Sequence, residues 1–317
     1  MEVKSILKNE KKTGQFDFSF LLKLSVSSIA IIYLVLRVDW SAFIDHLQEM
    51  KGIFVILSFA SVIGSIIVSG YKWFLLCRLH GNVSFRECFR WYYIGFFFNN
   101  FLPGSIGGDV LRIYFASKKL GAQPAIASVT VERLFAGVSL VTCSVTGLMF
   151  YNMGNSVLLQ ISLFIAILVL IYCFIFASSF QKLVIKLLGK KVVPFYETIE
   201  MYKKHKGILL KLIVLSFAFQ LFYILVSSFL FLAMDVSIPF VAQVGFISLI
   251  SILTMIPISI NGLGVREGAY VFLFSTLGVA ESVSLAVSLM FFMLVLIGTS
   301  IGGIIWLFEK RNDAKDN

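Results

Sequence analysis

Charge is scarce in this sequence. Only 14% of its 317 residues are Asp, Glu, Lys or Arg, while 59% are hydrophobic and the mean hydropathy is +0.93. Soluble domains carry roughly a quarter of their residues as charges, so an ordinary water-soluble fold is excluded. Histidine and cysteine are few as well. His46, His80 and His205 are scattered, and Cys77, Cys88, Cys143 and Cys173 show no paired spacing. Neither a metal site nor a disulfide framework is expected from them. No Gly-x4-Gly-Lys-Ser/Thr stretch occurs, which removes the usual phosphate loop of nucleotide hydrolysis, and no cofactor is expected. The net charge of +10 does not imply nucleic acid, because the lysines and arginines sit in short segments beside apolar runs, as cytoplasmic loops do.

What is present is apolar sequence in long runs, near 18–36, 52–70, 91–102, 125–150, 156–179, 208–234, 238–258 and 283–308. At about 20 apolar residues per spanning helix, these predict an all-α polytopic integral membrane protein with loops too short for a separate catalytic domain. The first run follows Lys4, Lys8, Lys11 and Lys12 and leads into Arg37-Val38-Asp39-Trp40, with no small-x-small cleavage site. A retained first helix, rather than a cleaved signal, is expected.

Two runs differ from the rest. The run at 91–102 stops at Asn99-Asn100-Phe101-Leu102-Pro103-Gly104-Ser105-Ile106-Gly107-Gly108, and the run at 238–258 stops at Pro257-Ile258-Ser259-Ile260-Asn261-Gly262-Leu263-Gly264. A second helical stretch follows each, near 109–120 and 265–278. Helix, glycine-rich break and short helix is the sequence form of a re-entrant membrane segment. Charge placement favours turning back over crossing. With a cytoplasmic N-terminus, the loop at 71–90 lies inside with Lys72, Arg78, Arg86 and Arg90. The most basic loop, 180–207, also lies inside only if 91–120 returns to the face it entered from. This predicts about six full spans, two re-entrant elements and cytoplasmic termini in the inner (cytoplasmic) cell membrane.

The breaks resemble each other. Pro103-x-Ser105-Ile106-x-Gly108 matches Pro257-x-Ser259-Ile260-x-Gly262, and Arg112 matches Arg266, all at one offset of 154 (257 − 103). Each half reads span, span, re-entrant element, span. The expected organisation is therefore a cytoplasmic segment at 1–17, repeat A at 18–150, an inverted repeat B at 151–308, and a cytoplasmic tail at 309–317. Inverted repeats whose unwound segments meet near the midplane are a recurring transporter architecture. Two kinked, merely packed hairpins would give the same pattern.

Charges inside a bilayer are costly and mark function or pairing; the candidates are Asp109, Arg112, Glu132, Arg133, Arg266 and Glu267. Asp109 suits a helix start, where a carboxylate meets the positive helix end, as well as a functional role. Glu132 and Arg133 point about 100° apart on a helix, so at least one needs another partner, and Arg266 or Glu267 across the repeat is expected. Gly104, Gly107, Gly108, Gly262 and Gly264 allow tight turns and leave helix amides free to face an anion, or serve helix packing. Ser105, Ser259, Asn99, Asn100 and Asn261 add neutral polar groups. The aromatic runs Trp91-Tyr92-Tyr93 and Phe96-Phe97-Phe98 are expected as interface belt and packing.

Three strings carry a resemblance: Asn99-Asn100-Phe101-Leu102-Pro103-Gly104 through Gly107-Gly108-Asp109-Val110-Leu111-Arg112, then Val131-Glu132-Arg133-Leu134, then Asn261-Gly262-Leu263-Gly264-Val265-Arg266-Glu267-Gly268. Together they resemble the lysylphosphatidylglycerol synthase transmembrane, or flippase-like, family (UPF0104 type). The resemblance implies a membrane unit that, in larger members, precedes a soluble aminoacyltransferase domain and moves the modified lipid between leaflets. With the chain ending at Asn317, lysine transfer is not expected of it. The expected activity is translocation of an anionic phospholipid or polyprenyl-phosphate-linked lipid, with membrane lipids as partners and no nucleic acid. The alternatives are a membrane-embedded transferase on lipid-linked substrates and a non-catalytic partner of a separate synthase.

Overall fold

The computed structural model describes residues 48–100, 107–151, 181–182, 185–186, 193–256, 259 and 261–313. The expected spans at 18–36 and 156–179 lie outside these residues, as do Gly104, Ser105 and both anchoring prolines. The regular elements among the described residues are all helices: α1 (Gly52–Cys77), α2 (Phe85–Asn99), α3 (Gly107–Leu120), α4 (Ala122–Phe150), α5 (Val193–Lys204), α6 (Lys206–Ala233), α7 (Phe240–Met255), α8 (Val265–Ser275) and α9 (Glu281–Asp313). Four of these contain a stretch long and apolar enough to cross a membrane: α1, α4, α6 and the Glu281–Phe308 part of α9. These coincide with four of the six expected spans. The chain is a polytopic helical membrane protein.

Small side chains set how the long helices meet. On α1, Ser58, Ser61, Ser65 and Ser69 recur every three or four residues and are all buried, forming a narrow face against which a neighbour can lie close. α6 packs there in the antiparallel sense. Lys51 N–H donates to Ala233 O at 2.9 Å, Ser58 Oγ donates to Val226 O at 2.9 Å, and Phe54 stacks near Phe229. α4 and α7 cross at glycine: a Cβ on Gly147 would lie 2.2 Å from Gly245 N, so neither position tolerates a side chain without separation. Outward faces remain apolar, as at Ile53, Val214 and Ile304, which suits hydrocarbon.

The two broken segments fold as hairpins. Ser84 opens α2 with a reciprocal cap: its Oγ accepts from Glu87 N–H, and Glu87 Oε2 accepts from Ser84 N–H. Such a pairing satisfies two otherwise orphaned donors. The same Glu87 meets Lys119 at 2.9 Å, at the far end of α3. The start of α2 therefore lies beside the end of α3. At the closed end the arms nearly touch, since a Cβ on Gly108 would sit 1.8 Å from Gly95 O. In the second hairpin, Phe246 of α7 packs edge-on against Phe274 of α8, and Pro239 and Leu277 share a surface recess. Asn261 (φ +48°), Gly262 (φ +73°) and Gly264 (φ +81°) form its left-handed turn, a conformation open to Gly and, among other residues, most readily to Asn and Asp.

Element boundaries follow the expectations within a few residues, with two corrections. α1 continues through Cys77, so Lys72 is inside a helix and not in the loop at 71–90. The basic stretch at 180–207 contains a helix, α5, whose Tyr202 hydroxyl lies 2.7 Å from His80.

Candidate functional site

The tips of both hairpins open onto one cavity of about 190 Å³. From the first come Asn99, Asn100 and Arg112; from the second, Thr254, Met255, Asn261 and Arg266. α1 adds Ser69 and Lys72, α4 adds Glu132 and Arg133, and Phe219, Phe291 and Val295 supply apolar wall. The volume is below the roughly 300–1,000 Å³ of pockets for drug-sized ligands.

A buried ion network borders this space. Glu132 Oε2 accepts from Arg112 at 2.8 Å, while its Oε1 lies 3.3 Å from Lys72 Nζ and accepts from Ser69 Oγ at 3.2 Å. Asp109 accepts from Arg112 at 2.6 Å and from Arg133 at 2.8 and 2.9 Å, the latter in a two-pronged contact. Lys72, Arg112, Glu132 and Asp109 are each less than a tenth exposed, whereas the Arg133 side chain is 34% exposed. The Arg112 guanidinium lies beside two neighbouring rings, 4.9 Å from Tyr92 and 5.2 Å from Trp73. Aromatic faces attract cations most strongly where water is absent.

The second hairpin carries a simpler arrangement. Arg266 donates to its neighbour Glu267 at 2.5 and 3.0 Å and lies 4.7 Å from the Phe292 ring. Glu267 also accepts from Gly264 N–H at 2.6 Å and closes the start of α8. Ser259 is buried, and its hydroxyl has no hydrogen-bond partner among the described residues.

Several expectations change. Glu132 and Arg133 do find other partners, but within their own half: Glu132 takes Arg112 and Lys72, and Arg133 takes Asp109. The expected pairing with Arg266 or Glu267 is absent among the described residues, because those two satisfy each other. Two helix-start amides expected to face an anion are already engaged, Gly108 N–H by Asn99 Oδ1 at 2.7 Å and Gly264 N–H by Glu267. Gly108 is a packing glycine. Trp91, Tyr92 and Tyr93 are buried, as expected of packing residues; Tyr93 donates to Gly298 O at 2.6 Å, and Tyr92 also faces the cavity. Asn100 lines the cavity while donating to Thr299 at 2.7 Å. Gly107, Gly108, Asp109, Ser259, Gly262, Gly264 and Glu267 support the lining without forming it.

Sequence reasoning missed Lys72. The signal was available: the apolar run resumes after it as Trp73-Phe74-Leu75-Leu76-Cys77, so the helix does not end there.

Four long apolar helices, two hairpins and a cationic cavity between their tips define a membrane protein with an embedded polar site. The chain belongs to the lysylphosphatidylglycerol synthase TM region family, whose model matches residues 20–303. It is similar to a UPF0104 membrane protein of Methanocaldococcus jannaschii, 26% identical over 321 residues that cover 91% of this chain and 94% of that one. A UPF0104 membrane protein of Pyrococcus horikoshii is 25% identical over 295 residues, covering 81% and 88%. One from Methanothermobacter thermautotrophicus is 23% identical over 296 residues, covering 82% and 86%.

Proposed function

We propose that this protein is a lipid translocase of the cell membrane, moving a lipid with a phosphate-bearing headgroup between leaflets. The observation that carries this reading is the convergence of both hairpin tips, with Arg112 and Arg266, on one headgroup-sized cavity. In this reading the hairpins are re-entrant elements of two inverted repeats, entering from opposite faces. The headgroup crosses through the cavity while the acyl chains stay in lipid. Recognition falls on the cations, because two helix-start amides are taken. Energy comes from a gradient or from consumption of the lipid on the far side.

The test is reconstitution in liposomes with a fluorescent phosphatidylglycerol. Leaflet exchange above that of empty liposomes, with the lipid recovered chemically unchanged, is the expected result. A new covalent lipid product would establish a transferase instead, and neither result would leave a non-catalytic partner of a synthase.

A further inference from the structure

Of the cations described on the cavity lining, Lys72 differs in its chemistry and in how loosely it is held. Arg112 donates to Glu132 at 2.8 Å and to Asp109 at 2.6 Å, Arg133 makes a two-pronged contact with Asp109, and Arg266 donates twice to Glu267. Guanidinium groups keep their proton in proteins, so these three are fixed charges. Lys72 is an amine, which can release its proton. Its Nζ lies 3.3 Å from Glu132 Oε1, an oxygen that Ser69 also reaches at 3.2 Å, and 5.6 Å from the centre of the Phe219 ring. The side chain is 1% exposed and lines the cavity. The titratable and charged groups that share this lining are Glu132 and Arg133 from α4, Arg112 from α3, Tyr92 from α2, Tyr223 from α6 and Arg266 from α8, while α9 contributes apolar side chains such as Phe291 and Val295. Burial favours the neutral amine, and the Glu132 carboxylate favours the ammonium. The balance moves whenever water or an anion enters beside it. Ionisable side chains placed this way inside a membrane serve as proton relays.

Deepening the proposed function and resting on it, we propose that translocation is coupled to protons and that Lys72 is the residue that carries the proton. With the cavity occupied, Lys72 Nζ is an ammonium, and its charge favours the bound anion. Linkage then requires the anion to favour proton uptake by the same factor. Once the lipid has left, the N–H bond breaks and the proton passes to water on the side of release. The neutral amine remains in the empty cavity for the return. Glu132 stays ionised throughout, because Arg112 holds its other oxygen. Lipid and proton thus move in the same direction, and each negative charge that crosses with one proton crosses without net charge.

The test follows fluorescent phosphatidylglycerol in liposomes bearing the full chain, with a pH difference imposed across the membrane and the electrical potential clamped by potassium and valinomycin. One proton per lipid makes a difference of about one pH unit worth up to about tenfold in the leaflet ratio. The native chain is expected to enrich the labelled lipid in the leaflet on the alkaline side, beyond any enrichment in empty liposomes. Lys72→Arg, which cannot lose its proton, is expected to keep lipid-for-lipid exchange and to lose the enrichment. A merely structural lysine would be rescued by arginine with the enrichment intact, and that result overturns the proposal. A folded Lys72→Arg protein without any exchange also overturns it, because a permanently protonated carrier still exchanges lipid. If Lys72→Arg does not fold, Lys72→Met takes its place and is likewise expected to lose the enrichment; if neither folds, the native enrichment decides alone. Native exchange that ignores the pH difference overturns this inference and leaves translocation standing, whereas no native exchange under either condition overturns both.

Discussion

The first hairpin gathers five charged side chains around its second arm, drawn from α1, α3 and α4, whereas the second hairpin keeps one arginine and one glutamate that pair with each other. Their closed ends differ too. Asn99 at the end of α2 caps α3 across the break, while Glu267 caps α8 from within it, beside a turn of left-handed residues. The second hairpin is locally self-sufficient. The first depends on neighbours distant in sequence: Lys72 and Glu132 lie sixty positions apart. Among the described residues, the first hairpin's charges are held by three helices, and the second hairpin's by one adjacent pair.

The comparison breaks most visibly at the carboxylates. Glu132→Gln leaves two buried cations without their shared partner and is expected to cost about 3–5 kcal/mol, read as a drop in thermal midpoint in micelles. Glu267→Gln strands only Arg266 and should cost less; equal losses would erase the distinction between the hairpins. Next comes the close contact in the first hairpin. Gly108→Ala places a Cβ against the Gly95 carbonyl and should destabilise by about 1–3 kcal/mol, while Gly268→Ala, with nothing within 4 Å of its Cβ, should be neutral or slightly stabilising by the same measurement. Asn99→Ala removes the cross-break cap and should cost about 1 kcal/mol, detectable as faster amide exchange at the start of α3.

The smallest effect is at the open end. The hydrogen bond from Lys119, with help from the Ser84 amide, holds the Glu87 carboxyl down to about 2 from its ordinary 4.5. A depressed carboxylate contributes stability that is complete above the ordinary value and is lost as pH falls toward 2. Lys119→Ala should remove that acid dependence from the first hairpin while changing neutral-pH stability by less than about 1 kcal/mol. A thermal midpoint that responds to pH in the same way in both proteins would contradict the assignment.

Much of this contrast could be read from the chain, and the unread part has a common cause. Apolar runs and glycine-rich breaks are local signals, and they located α1, α4, α6, α9 and both hairpins within a few residues. Asp109, Arg112, Glu132, Arg133, Arg266 and Glu267 stood out because charge within an apolar run is conspicuous. Lys72 did not, because a lysine near the end of an apolar run reads as a loop flank until the helix is known to continue. Which carboxylate each arginine takes is a question of packing between helices, and sequence spacing does not carry it.

The most direct measurement compares leaflet exchange of fluorescent phosphatidylglycerol in liposomes bearing the native chain, Arg112→Gln or Arg266→Gln, each with folding verified. The account predicts exchange by the native protein, its loss to the level of empty liposomes in Arg112→Gln, and a smaller reduction in Arg266→Gln. Native exchange that persists unchanged in Arg112→Gln, or no exchange by the native protein, would contradict it.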